Sequence, residues 1–248
     1  RMLFGALSLI FPDGERFFIR SVKYFADQIK DESLIADVKN FIGQEAQHTK
    51  LHEVFNKNVL GPEYDTTPFL TWYRDVVYGK IEEEATKLFG HKLSLSITAA
   101  AEHFTATWAA HGLSSGYLEE HVKNQELLDF MQWHAVDEIE HKHVAFDVLQ
   151  EVDDSYLLRV AGMLFCATLL PFVVTVAFAS LVKQSHKLDI FTFFRDGVYE
   201  GAKGGMARSF IPAIIEYFKP GFHPSDNDNY AEAAKVAERI EKRMQYVA

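Results

Sequence analysis

The sequence predicts an all-α protein, a bundle of long helices with additional helices towards the C-terminus. Three observations carry that prediction. Apolar residues recur at helical spacing through long segments, whereas strand-like alternation flanked by hairpin turns is scarce. Pro and Gly, 7 and 14 among 248 residues, gather at a few breaks. The chain is 48% hydrophobic with 21 Phe, enough to bury a sizeable core in a single domain spanning 1–248.

The elements follow in order. A first helix is expected from Pro12 to Ile29, with proline in its first turn, where the missing N–H costs nothing. The second runs from Ser33, as cap, to Asn58. Gly61–Thr67 reads as a loop, Pro68–Phe89 as a third helix, Leu93–Ser115 as a fourth and Glu119–Val152 as a fifth. Asp153, Asp154 and Ser155 open a sixth that reaches Ser185. A further helix near Phe191–Phe218, a loop over Lys219–Asn229 and an amphipathic helix over Tyr230–Gln245 complete the chain. A bundle is therefore expected over about 12–152, and an apolar helix with a C-terminal extension over about 155–248.

Val160–Val182 is a run of 23 residues without a formal charge, bounded by Arg159 and Lys183. Such a run is long enough to cross a bilayer core of about 30 Å. It reads equally as a buried core helix or as a homodimer interface. The expected location is the cytoplasm, with membrane association through this segment as the alternative; no secretory signal is legible.

The charge balance is acidic: 25 Lys and Arg against 35 Asp and Glu give a formal net charge of -10. That excludes a generally basic, phosphate-hugging nucleic-acid binder. The single cysteine, Cys166, excludes an intramolecular disulfide framework, a cysteine zinc finger and an iron–sulfur site. The 11 His beside so many carboxylates are the ligand types of hard and borderline metals.

Two segments place them at ligand spacing: Glu45-Ala-Gln-His48 in the second helix and Glu138-Ile-Glu-His141 in the fifth. Residues at i and i+3 share a helix face, so each pair can present a carboxylate and an imidazole to one point. One Glu-x-x-His occurs often by chance; two in long helices are a stronger signal. Glu15 and Glu102 stand in the first and fourth helices, each within an apolar stretch where burying a carboxylate is costly unless it is paired or on a metal. His134 lies on the stripe His134-x-x-x-Glu138-x-x-His141 and adds a third imidazole. Behind these ligands, Asp137 is expected to orient His48, and Gln44 to orient His141. His52 reads as a supporting or exposed residue. His103, His111 and His121 read as surface or core-edge histidines, Glu82–Glu84 as a solvated face, and Glu140 and His143 as pointing away from the motif.

Glu15, Glu45-x-x-His48, Glu102 and Asp137-Glu138-x-x-His141 together resemble the ferritin-like di-iron pattern of a four-helix bundle, in which two helices give Glu-x-x-His and two give one Glu. In that architecture the third helix serves as the crossover. With His134 added, the ligand set resembles that of the p-aminobenzoate N-oxygenase group. Tyr217-Phe-Lys-Pro-Gly-Phe-His-Pro-Ser-Asp226, after a long apolar helix, is similar to a bacterial family named "predicted metal-dependent hydrolase". The apolar helix and the C-terminal loop depart from the arylamine oxygenases.

The resemblance implies two iron ions, with manganese or zinc as alternatives, and an oxidase or oxygenase that takes O2, a small organic substrate and an external electron donor. A two-metal hydrolase and a non-enzymatic metal-binding bundle are the competing expectations. Two divalent ions would add four positive charges and bring the formal charge from -10 to -6.

Overall fold

A computed structural model describes residues 2–185 and 206–247, and among them the ordered secondary structure is helical throughout. The core is built from α1 (Met2–Lys23), α2 (Glu32–Phe55), α5 (His91–Ser114) and the pair α7 (Gln125–His141) and α8 (Val144–Val152). The crossover expected over Pro68–Phe89 is a continuous helical path. It comprises α3 (Thr67–Tyr73), a π-helical stretch at Arg74–Glu82 and α4 (Glu83–Phe89).

α1 starts at Met2 rather than Pro12, so the bundle begins well before position 12. Ala6, Leu9 and Ile10 carry an apolar face into the core ahead of the proline, and their burial outweighs it. Pro12 lies inside the helix and cannot donate to the Ser8 carbonyl four residues earlier. The Asn56 side-chain amide donates to that carbonyl instead, at 2.8 Å. Asn56 follows α2 directly and opens a π-helical turn, Asn56–Leu60, that extends the second helix past its predicted end. The cap of α2 is Asp31, which accepts from the Ser33 and Leu34 amides, rather than Ser33.

The predicted fifth helix is in fact three: α6 (Tyr117–His121), α7 and α8. Gly116, at φ 70°, supplies the left-handed residue that opens α6, and the Asn124 side chain caps α7 by accepting from Leu127 N at 2.8 Å. The break between α7 and α8 falls at Lys142 and His143, where Lys142 Nζ leaves the bundle and donates to Asn229 Oδ1 at 2.6 Å.

α1 packs on α2, α5 and α9 (Tyr156–Gln184), and α5 packs on α7, α8 and α9. Phe41, Leu95, Phe104 and Leu149 are wholly buried where these helices meet. Each such side chain contributes roughly 1.5–3 kcal/mol. α9 approaches α5 closely at Gly162, where a methyl group would stand 2.5 Å from the Ser96 carbonyl carbon. Its inner face (Met163, Cys166, Val173, Ala177, Leu181) is core, while Leu157, Leu164 and Phe172 are exposed. α9 is the one helix among the described residues long and apolar enough to cross a membrane.

Of the predicted helix near Phe191–Phe218, the described part is α10 (Met206–Tyr217), and 191–205 lie outside the described residues. α10 packs on α5, and α11 (Tyr230–Val247) on α7. Buried Arg159 fixes the intervening loop. Its guanidinium lies over the Tyr156 and Tyr217 rings at 5.2 and 5.4 Å and donates to the Lys219 carbonyl at 2.8 Å.

Candidate metal centre

Four helices bring the predicted ligands together inside the bundle. α1 supplies Glu15, α2 supplies Glu45 and His48, α5 supplies Glu102, and α7 supplies His134, Glu138 and His141. Glu45, His48 and Glu102 have no exposed surface at all. Among the described ion pairs these four carboxylates meet only histidines, never lysine or arginine.

The distances are those of groups converging on common points. His48 Nδ1 lies 3.5 Å from Glu45 Oε1 and 3.7 Å from Glu138 Oε1. His141 stands between Glu45 and Glu102, with Nε2 3.2 Å from Glu45 Oε1 and Nδ1 3.1 Å from Glu102 Oε2. His134 Nε2 is 2.8 Å from Glu138 Oε1. One ligand atom from each of Glu45, His48, Glu138 and His141 falls within 4.8 Å of the others. Glu15, His134 and His52 make a second such group beside it.

His52, read from the sequence as a supporting or exposed residue, belongs to the cluster. It is almost wholly buried, and its Nε2 lies 3.7 Å from Glu15 Oε1. The signal was its spacing: His48-x-x-x-His52 puts both imidazoles on one stripe of α2, as His134-x-x-x-Glu138 does on α7.

Behind the cluster, Asp137 Oδ2 lies 3.0 Å from His48 Nε2. That bond leaves Nδ1 to face Glu45 and Glu138. The expected contact of Gln44 with His141 is not made. Both His141 nitrogens face carboxylates, and Gln44 instead lines a polar cleft together with Glu140. His103 is buried elsewhere and bonds the Ala213 carbonyl. His143 faces Asp37 at 3.7 Å, and Glu83 and Glu84 are exposed, as expected.

The electrostatics show how much charge the interior holds. Burial raises the Glu45 carboxyl to about 7, helped by the Glu102 and Glu138 charges. Burial and Glu45 raise Glu15, and burial and Glu138 raise Glu102, both well above the carboxylate range. Burial disfavours charge on Glu138 too, but His134, His141 and His48 outweigh it and hold that group low. For His48 burial is likewise outweighed, by Asp137 and Glu45, and its pKa rises; burial with His134 and His48 pushes His52 down.

Several buried atoms have no hydrogen-bond partner in the protein. Those that belong to the cluster are both oxygens of Glu15 and of Glu45, Oε1 of Glu102, Oε2 of Glu138, Nδ1 of His48, and Nε2 of His52 and His141. Orphaned buried polar atoms are rare because each costs about 1–3 kcal/mol. Here they all point into one cluster of oxygen and nitrogen donors, which is what cations would satisfy. The residues fit a pair of metal ions.

Three spaces border the cluster. A cavity of about 120 Å³ is lined by Phe17, Val77, Ile97, Leu169 and Val173 and reaches Glu15. A second of about 100 Å³, with Leu7 and Met131 in its wall, reaches Glu15, His134 and Glu138. Both include Phe11, Phe18, Thr105 and Trp108. On the opposite side a polar cleft of about 480 Å³, lined by Asp37, Asn40, Gln44, Gln47 and Glu140, reaches His141.

Fold and site together define a helical protein with a buried carboxylate–histidine metal site. The family model described as "predicted metal-dependent hydrolase" matches residues 2–228, and the chain belongs to that family. No curated protein and no solved structure matches the chain.

If Asp137 holds His48 for a metal, Asp137→Ala should weaken metal binding about 10–100-fold, and Asp137→Asn should recover part of the loss. Metal titration of the three proteins checks this. Equal affinities would reduce the bond to a packing contact.

Proposed function

We propose that the protein is a dinuclear-metal oxidase or oxygenase, with the ferritin-like arrangement implied by its motifs, that uses O2 to oxidise a small apolar organic molecule. One observation carries this reading. The spaces beside Glu15, His134 and Glu138 are walled by Phe, Leu, Val, Ile and Trp, with no lysine or arginine among their lining residues. A phosphate or carboxylate substrate would have no cation to meet there. An apolar cavity of about 150 Å³ is known to hold benzene, so spaces of about 120 and 100 Å³ suit a somewhat smaller apolar group such as a short hydrocarbon segment.

The protein's own groups have separable roles. Glu15, Glu45, Glu102 and Glu138, with His48, His134 and His141, would hold two ions, and their four negative charges would balance two divalent metals. Iron bound by these residues would supply the redox chemistry that O2 activation requires, and manganese is the alternative. Phe11 and Phe18, common to both cavities, exclude water from the Glu15 side. An external donor would deliver electrons from the polar side, where the cleft reaches His141.

The family's description and that same cleft favour a second reading, a two-metal hydrolase with its water supplied through His141. The two separate in one experiment. The first expects iron in protein purified without added metal, and O2 uptake that rises with an apolar substrate and a reductant. Ester or phosphoester turnover with zinc or manganese, at the same rate under argon, would overturn it.

A further inference from the structure

Resting on the reading of the cluster as a metal centre, we propose that His52 is a ligand. It completes a set of two histidines and one carboxylate (Glu15, His52 and His134) that holds the second ion on the side of the apolar cavities.

Pro12 has no N–H, so the Ser8 carbonyl loses its helical partner and accepts from Asn56 Nδ2 at 2.8 Å. With its amide nitrogen committed there, Asn56 must present Oδ1 to Ser8, and the Ser8 hydroxyl donates to it at 2.8 Å. That uses the only hydroxyl proton. Towards His52 Nδ1, 2.9 Å away, Ser8 Oγ can only accept, so the proton of a neutral His52 ring sits on Nδ1. The tautomer is thereby fixed with a bare lone pair on Nε2.

That lone pair faces Glu15 Oε1 at 3.7 Å, too far for a hydrogen bond, and neither atom has another partner. Once Glu15 is ionised, as a metal ligand is, the two atoms are acceptors held face to face in a buried site, the arrangement a cation would bridge. The ring has little freedom to turn away. Phe11 and Phe130 pack against it with ring centroids 4.8 and 5.6 Å distant, and His134 stands at 4.9 Å. A ligating histidine whose other nitrogen donates to a fixed acceptor is the usual pattern at metal sites.

The consequence is a division of labour. Glu45, His48, Glu138 and His141, with Glu102 beside His141, enclose one ion. The second receives three protein ligands, and two of them, Glu15 and His134, line the apolar cavities. Two histidines and one carboxylate with open positions is a donor set associated with iron that reacts with O2. The second ion is thus the one a substrate in those cavities would meet.

Anaerobic titration of the full chain with Co(II), followed by visible absorption and by metal analysis after gel filtration, tests this. The wild type should take up two ions. His52→Ala should keep the first and bind the second at least 100-fold more weakly. Ser8→Ala, which removes the acceptor but spares the ring and keeps the helix, should weaken the second ion by about 10-fold and leave the first unchanged. If His52→Ala does not fold, as judged by circular dichroism, Ser8→Ala decides the question alone. Two ions with wild-type affinity in the folded variants would overturn the role of His52 while leaving the metal centre intact. A wild type that binds no ion would overturn both.

Discussion

Replacing Glu102 with glutamine is expected to stabilise the metal-free protein and at the same time end its uptake of a full pair of ions. Glu102 sits in the middle of α5, wholly buried, with Oε1 unpartnered and Oε2 3.1 Å from His141 Nδ1. Burial and the Glu138 charge make its ionised form costly. Glutamine keeps the shape and a hydrogen-bonding group but cannot ionise. The gain should be small at acidic pH, where Glu102 is already protonated, and grow as pH rises through its elevated pKa. At alkaline pH it should reach about 1–3 kcal/mol, the usual cost of a buried unsatisfied polar group. In a chain of this size that raises Tm by roughly 2–4 °C for each kcal/mol. Added metal should raise the wild-type Tm and raise that of Glu102→Gln by distinctly less. A variant that is less stable without metal, or that gains as much from metal as the wild type, would remove Glu102 from the site.

The second large effect is a pH dependence of opposite sign with and without metal. Glu45 has its carboxyl raised from about 4.5 unfolded to about 7 folded, mainly by burial. A raised folded pKa means that the folded state holds the proton more tightly. Its contribution to stability is complete below pH 4.5 and is lost as pH climbs to about 7, a change of roughly 3 kcal/mol for this group. Glu15 and Glu102 act in the same direction; the lowered Glu138 changes stability only below pH 4.5, and the lowered His52 and His134 oppose the three carboxyls in part up to about pH 6.5. The metal-free protein should therefore lose stability from pH 4.5 to 7. Metal binding displaces these protons, so affinity should rise over the same window, about tenfold per pH unit for each proton released. Calorimetry in two buffers of different ionisation enthalpy would count those protons. Proton release absent at pH 6, or metal affinity independent of pH between 5 and 7, would contradict this electrostatic account.

Both effects trace to residues whose sequence context announced them. Glu45-x-x-His48 and Glu138-x-x-His141 declare themselves because i and i+3 spacing is a local property of a helix, and Glu15 and Glu102 because a carboxylate in an apolar run needs a reason. The helical class was equally legible from periodicity. What escaped was what depends on contacts between helices. Pro12 was expected in a first turn, and nothing local reveals that α1 runs ten residues before it, from Met2, held by packing of Ala6, Leu9 and Ile10. Without that extension Ser8 has no place beside Asn56, and His52 has no fixed tautomer. The fifth helix looked continuous because the fold breaks it at Lys142, whose ammonium is drawn to a loop some 85 residues further on. The symmetry of Asp137 with His48 pairs Gln44 with His141, but both His141 nitrogens face carboxylates inside the cluster, Glu45 and Glu102.

The buried Glu and His side chains are proposed to hold a pair of metal ions. Metal analysis of the full chain, purified without chelators or added metal, tests it most directly. Close to two ions per chain, principally iron, are expected, with the number falling in Glu45→Ala and in Glu138→Ala. A chain that purifies and refills with no metal, and whose melting temperature is indifferent to iron, manganese and zinc, would contradict it.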